Sequence, residues 1–342
     1  MSSLKTPREL NFRMPAEWEK HEATWLSWPK DPLTFPEDII DRVEEIYVEI
    51  IESLRLGERV ELLVDDEKTE DKVSSMLSSQ NNVRFHNIKS ADVWMRDYGP
   101  IFIKNSEIAA TKWIFNAWGK KYDELLKDDD TGKEICEVTK LKTFEPKIVL
   151  EGGSIDTNGA RSCLTTEQCL LNNNRNPSLN QKEIENYLHD YLGFTNLIWL
   201  SRGIAGDDTD GHVDDIARFV SEDTVICMVE KDKNDENSAI LEANYRLLQQ
   251  SKDAAGQKLQ VVTIDMPHKV ETEDGRLPAS YANFYIGNSA VLVPIFGDSK
   301  RDEKALDTIG SFFPGRKMIG INCKELVYGF GGIHCITQQQ PA

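Results

Sequence analysis

The sequence predicts a mixed α/β fold in one domain, with five strand–strand–helix–strand units closing into a ring. Three observations lead there. The succession of strand, tight turn, strand, amphipathic helix and strand recurs over residues 153–201, 216–266 and 284–323, and self-similarity at a fixed spacing, here roughly 65 residues, marks a repeat architecture. Polar motifs fall just before the first strand of each unit. The last dozen residues, Gly331 to Ala342, read as a strand led by a thiol, at a place where a chain ordinarily frays.

Taken in order, the N-terminal region supplies half a unit: strand Ala23–Trp28, helix Pro36–Leu56 and strand Arg59–Val64. Its missing first strand is expected from Cys335–Gln339, which would join both chain ends in one unit and hold the terminal thiol rigid. Glu67–Ser79 and strand Val83–Ile88 read as an α/β insertion. In the second unit Ile101–Lys104 and Ile108–Phe115 flank the Asn105-Ser106 turn, with a third strand expected at Lys147–Leu150 behind a poorly marked helix. The acidic stretch Lys127–Lys133 reads as a solvated loop. The third unit runs through the Asn158-Gly159 turn, strand Ser162–Thr166, helix Gln181–Leu192 and strand Asn196–Leu200. The fourth has strands Ile216–Val220 and Thr224–Val229, helix Glu236–Gln250 and strand Leu259–Ile264. The fifth has Phe284–Gly287 and Ala290–Ile295, helix Arg301–Phe312 and strand Lys317–Ile321. β-Branched runs between turn residues argue for the strands, and apolar residues spaced by three and four argue for the helices. The alternative is an ordinary α/β sheet whose hairpins resemble one another by chance. No low-complexity linker divides residues 1–342, so a single domain is expected.

A composition of 39% hydrophobic and 29% charged residues is that of a soluble globular protein. The net charge of −18 argues against nucleic acid or an anionic membrane as partner, because neutralising phosphates needs clustered Lys and Arg. It suits a small cationic molecule. No run is long enough to span a bilayer and residues 1–20 show no secretory signal, so a cytoplasmic location is expected. The six cysteines show no C-x-x-C pair and no zinc-ribbon spacing, and are expected to be reduced. Exposed helices allow a homodimer, the default among soluble oligomers.

The chemistry sits at the head of each hairpin. Trp94-Met95-Arg96-Asp97 precedes the strand at 101, Glu151-Gly152-Gly153 the next, Gly211-His212-Val213-Asp214 the third, and Gly332-Ile333-His334-Cys335 the last. Only Tyr281-Ala282-Asn283 lacks an acid or imidazole there. In a closed ring these places converge at one end of the axis. Singly, Asp97 and Glu151 suit turn or cap acids, His212 a core histidine, and Cys335 a buried apolar thiol; jointly they make a pocket. His212-x-Asp214 with Asp207, Asp208 and Asp210 also suggests a divalent-metal site, but neither a hard-cation cage nor a zinc set is complete.

A thiol beside an imidazole is a candidate nucleophile. The surplus carboxylates would suppress it unless the substrate brought its own delocalised positive charge. A guanidinium does so, and its planar N–H donors match carboxylates in fork geometry. Trp94 is placed to pack on the face of such a cation. The Gly331-Gly332 pair permits close backbone approach beside the thiol.

Together, Trp-x-Arg-Asp, Glu-Gly-Gly-Ser, Gly-His-Val-Asp and the terminal Gly-Gly-x-His-Cys-x-Thr-Gln-Gln resemble the agmatine deiminases of the guanidine-modifying (pentein) superfamily, a branch also known as Porphyromonas-type peptidylarginine deiminases. The similarity runs from Met14-Pro15-Ala16-Glu17-Trp18-Glu19 to Ala342 and includes Leu277 to Tyr285. The resemblance implies a five-bladed α/β propeller of ββαβ units around a central active site. It implies Cys335 as nucleophile, His212 as general acid and base, Asp97 and Asp214 as clamps on the guanidinium, and Glu151 as the residue that orients and charges His212. Neither cofactor nor metal is implied. With agmatine the products would be N-carbamoylputrescine and ammonia, a step toward polyamines. Tail choice is open: Asp92, Asp207, Asp208 and Asp210 suit an ammonium, whereas Arg96, Arg202 and Arg218 are the cations available for the carboxylate of free arginine. Arginine or peptidylarginine deimination, a metal-dependent hydrolase and a non-catalytic polyamine-binding protein are the competing readings.

Overall fold

The structure, a computed structural model, describes residues 5–342. Four three-stranded sheets and one four-stranded sheet repeat a single order: a first strand antiparallel to a second, and the second parallel to a third reached through a helix. Ala217–Phe219, Thr224–Val229 and Gln260–Asp265 show the pattern, with helix Asn237–Gln250 as the crossover. Tyr285–Ile286, Ala290–Ile295 and Lys317–Asn322 repeat it around helix Ser299–Gly310, whose N-terminus Asp298 caps. In the 153–201 unit helix Gln181–Leu192 opens on a capping box between Asn180 and Glu183 and stops at Gly193 with φ of 80°. That stop is the left-handed position glycine adopts without steric cost.

The two chain ends meet in one sheet. Gln338–Pro341 pairs antiparallel with His21–Ser27, which pairs in parallel with Arg59–Val64, and the inserted Val83–Asn87 adds a fourth strand. The C-terminal strand therefore starts three residues later than expected. Trp25 Nε1 donates to Gln340 Oε1 at 2.9 Å and Arg96 Nη1 to Gln339 Oε1 at 2.7 Å, so the end of the chain is clamped on both faces.

Two expectations in the second unit need correction. Its third strand is Lys142–Phe144, not 147–150; Ile148 and Leu150 are core residues, and Val149 makes only a bridge to Ile114. Lys127–Lys133 is not a solvated loop, because Asp128–Thr139 is a helix. Acids suit the positive end of a helix dipole, and buried Asp128 also accepts from the backbone amides of Ala91 and Asp92. No helix among the described residues is long and apolar enough to cross a membrane.

Candidate active site

Each polar motif sits in the turn before the first strand of its sheet. Asp97 lies on the short helix Met95–Tyr98, Glu151 before the turn Gly152–Ser154, His212 and Asp214 around the turn Val213–Asp215, and Cys335 just before Gln338–Pro341. The turns lock to one another through backbone. Arg96 N donates to Cys335 O at 3.1 Å, and Gly153 N to Asp97 Oδ1 at 3.0 Å. A Cβ at Gly153 would lie 2.5 Å from His212 Nδ1, 3.0 Å from Asp97 Oδ1 and 3.1 Å from Asp214 Oδ2, so three side chains from two other units meet over a residue that has none.

Cys335 Sγ stands 3.8 Å from Asp214 Oδ2 and 3.1 Å from Asn283 Nδ2. Burial pushes its thiol well above the ordinary value, and the charges of Asp214, Asp215 and Asp97 push the same way. His212 Nδ1 is 3.8 Å from Asp97 Oδ1. Neither ring nitrogen hydrogen-bonds to any described residue. Burial opposes the imidazolium, but Asp97 foremost, then Cys169 and Asp214, outweigh it and hold the pKa well above the usual imidazole value. Asp97 is raised, by burial first and by its acidic neighbours Asp214 and Glu151. Asp214 is lowered despite burial, because His334 Nδ1 bonds its Oδ2 at 2.7 Å. Glu151 Oε1 takes Arg175 Nε at 2.7 Å while its Oε2 has no partner among the described residues.

A cavity of about 290 Å3 opens over Asp97 and Cys335. Asp31, Asp92, Asp97, Glu124, Asp208 and Asp274 line it, with Trp94, Trp118 and Phe330, and among the described residues no Lys, Arg or His does. Trp94 donates from Nε1 to Asp92 Oδ2 at 2.8 Å, and the missing side chain of Gly331 leaves room for its ring. Burial raises Asp92 to about 6. Trp118 donates to Asp97 Oδ2 at 2.9 Å; Trp113 by contrast is core. Asp208 is on the wall, bonded by Lys121 and Tyr122.

Two expected substrate contacts are elsewhere. Asp207 is not on the wall: its Oδ2 accepts from the amides of Gly211 at 2.6 Å and His212 at 3.2 Å, so it shapes the loop that presents the imidazole. Gly332 packs on Asn283 rather than on the cavity, which Gly331 lines instead. The suggested metal set is likewise spent, since Asp210 pairs with Arg175 and Lys121. A different trio, Glu151, Cys169 and His212, brings one ligand atom each within 4.8 Å. Arg96 and Arg218 are buried in ion pairs with Glu17, so neither reaches the cavity.

Sequence reasoning left Glu17, His334, Arg175 and Asn283 without roles, and offered Trp113 and Trp118 alike as pocket walls or core, of which Trp118 lines the cavity. Asn283 carried a signal, its place in the repeat; the contacts of the others are long-range and had none.

A family model for Porphyromonas-type peptidyl-arginine deiminase matches residues 13–341. The chain belongs to that family. A putative agmatine deiminase of Legionella pneumophila is 38% identical over 346 residues, covering 100% of this chain and 98% of its own. Among solved structures of family relatives, the agmatine deiminase of Enterococcus faecalis superposes with a TM-score of 0.91 at 33% identity, covering 99% of this chain and 98% of that one. DDAH from Pseudomonas aeruginosa, at 11% identity and a TM-score of 0.53 over 94% of this chain and 99% of its own, shares the fold. The family thus has a mixed α/β fold of the pentein kind.

Proposed function

We propose that this protein is an agmatine deiminase, a hydrolase that converts the guanidinium of agmatine to N-carbamoylputrescine and ammonia on the way to putrescine. The whole chain acts as one catalytic domain, its five units arranged as the blades of an α/β propeller around the site. Full-length likeness to the agmatine deiminases supports the reaction. One observation carries the substrate choice: six carboxylates line the cavity and, among the described residues, no cationic side chain does. A molecule that is cationic at both ends fits this wall. The carboxylate of free arginine would meet only like charge, since Arg96 and Arg218 are committed to Glu17.

The guanidinium lies between Asp97 and Asp214, where Asp214 Oδ1 is buried and has no partner among the described residues. Its charge offsets the acids that keep the Cys335 thiol protonated, so the thiol gives up its proton to solvent when substrate arrives and the nucleophile forms. The thiolate attacks the guanidine carbon and a C–S bond forms. His212, held as imidazolium by its acidic neighbours, protonates the departing nitrogen, the C–N bond breaks, and ammonia leaves. Water, deprotonated by the now neutral His212, attacks the S-alkylthiouronium. The C–S bond breaks as the adduct's hydroxyl loses its proton to solvent, returning the thiolate and releasing the carbamoyl product. Asp92 and Asp208, with Glu124, receive the ammonium tail.

The test is ammonia release from agmatine, free arginine and an arginyl peptide. Agmatine is expected to have the highest kcat/KM. A higher value for free arginine would overturn the tail assignment, and no release from any of the three would overturn the deiminase.

A further inference from the structure

Asn283 holds in the fifth unit the place that acids, an imidazole and a thiol hold in the others, in the turn before strand Tyr285–Ile286. It is buried, and every polar atom of its carboxamide is engaged. Oδ1 accepts from His334 N at 2.8 Å and Cys335 N at 3.4 Å. Both partners are backbone donors, so chemistry decides which end of the amide faces which way. Nδ2 must turn to the other side, where it donates to Asp215 Oδ1 at 3.0 Å and faces Cys335 Sγ at 3.1 Å. A Cβ at Gly332 would lie 2.5 Å from Oδ1, so glycine there is what allows the carboxamide to approach.

We propose that Asn283 is a further catalytic residue of this site, its Nδ2–H group hydrogen-bonding the Cys335 thiolate and aiming it into the cavity while Asp215 anchors the same nitrogen. The proposal rests on the reading of Cys335 as nucleophile. The electrostatics explain why a neutral donor serves. A Lys or Arg beside the sulfur would pair with Asp214 or Asp97 and compete with the guanidinium for them. A carboxamide stabilises the sulfur anion and leaves both carboxylates free for substrate. The backbone amide of Gly332 acts on the sulfur in the same sense.

As the C–S bond forms, the negative charge leaves sulfur and this hydrogen bond weakens. Asn283 therefore raises the amount of thiolate present at the cost of a smaller rise in the barrier from that thiolate, and its loss should be repaired by raising pH. The test is the pH profile of Cys335 alkylation by iodoacetamide, followed by mass spectrometry of the C-terminal peptide, in the wild type, Asn283→Ala and Asn283→Asp. At a given pH below the midpoint, Asn283→Ala should alkylate about tenfold to a hundredfold more slowly, the factor expected for one hydrogen bond to a charged group, and approach the wild-type rate at high pH. Asn283→Asp should be slower still. A folded Asn283→Ala protein with an unshifted profile would overturn the proposal. Should neither variant fold, wild-type protein labelled with 15N-asparagine decides. The Asn283 side-chain resonance must move with the alkylation midpoint and stay fixed in Cys335→Ala; a resonance indifferent to that midpoint also overturns it. Neither measurement uses agmatine, so a protein that passes both yet releases no ammonia refutes the substrate and leaves the role of Asn283 standing.

Discussion

Two buried polar regions share Asp214, and they are built on opposite plans. On one side, Arg218 Nε meets Asp156 Oδ1 at 2.7 Å and its Nη2 meets Glu17 Oε1 at 3.0 Å. Arg96 Nη2 approaches Glu17 Oε2 at 3.4 Å, and His334 bridges Glu17 at 2.8 Å and Asp214 at 2.7 Å. On the other side, Asp97, Glu151, His212 and Asp214 bring more negative charge than positive, and the two His212 nitrogens, Glu151 Oε2 and Asp214 Oδ1 find no partner among the described residues. Burying charge costs free energy unless it is paired. The first region is closed and holds the termini and the turns in place. The second keeps those unpaired polar atoms beneath the open cavity that Asp97 and Cys335 line.

That contrast can be broken most severely at Cys335, the proposed nucleophile. Cys335→Ser should lower kcat in an ammonia-release assay by about 10^3-fold or more while leaving urea-denaturation stability within about 0.5 kcal/mol, since an isosteric change in an open site disturbs no pair. A variant that retains turnover would remove Cys335 from the chemistry.

The next largest effect lies in the closed region and falls on stability. Glu17→Ala leaves Arg96, Arg218 and His334 facing a lost partner, and removing one member of a buried ion pair costs about 3–5 kcal/mol. Urea denaturation reads this directly. A cost below about 1 kcal/mol would mean that the network is no more than the sum of weak surface-like pairs.

The mirror experiment is Asp97→Asn. It removes a carboxylate that its surroundings already disfavour, through burial and the repulsion of Asp214 and Glu151. Melting temperature should hold or rise. Activity should fall, with kcat/KM for agmatine down about 10^2-fold for the loss of a charge-assisted clamp. A variant that loses stability and keeps activity would place Asp97 with the closed region.

The same contrast explains what could be read from sequence. Repeated hairpins and helices were legible because burial imposes period on apolar residues, as in Thr224–Val229 or Gln181–Leu192. The strand at 142–144 was not: Lys142-Thr143-Phe144 is half-exposed, whereas the more apolar 148–150 goes to the core without a ladder. Asp128 shows how charge misleads, because an acid run suits a helix start as well as a loop. In the site, Cys335, His212, Asp97, Asp214 and Glu151 stood out as ionisable groups at matched places in the repeat. Asn283 stood at the same place but carries no charge, so its position alone marked it until its donor was seen against the sulfur. Counting acids as tail readers overreached with Asp207, whose carboxylate is consumed by the backbone of the loop that carries His212. Partners 317 residues apart, such as Glu17 and His334, leave no local pattern.

The smallest effect, and the one that separates the regions most sharply, is the pH dependence of stability. Glu17 is held well below the carboxylate range because Arg218, His334 and Arg96 outweigh its burial. A depressed acid contributes stability that is full above its unfolded value, about 4, and is lost as pH falls through the native one. His212 and Asp97 are shifted upward. Their contributions are full below their unfolded values, about 6.5 and about 4, and are lost as pH rises through the native ones. Asp92 and Asp128, which burial raises to about 6 and about 7, lose stability on the same side but finish near neutrality. Above about pH 8 His212 and Asp97 add to an alkaline slope that raised Asp156 and Asp215 and the buried cysteines also feed, so the open site is read from the change on substitution. His212→Asn should flatten that limb and leave the acid limb alone, whereas Glu17→Gln should flatten the acid limb and leave the alkaline one. If either substitution altered both limbs equally in urea titrations, Asp214 would couple the two regions too tightly for them to be treated as separate devices, and the unpaired atoms around His212 would have to be explained by the network behind them rather than by the proposed substrate.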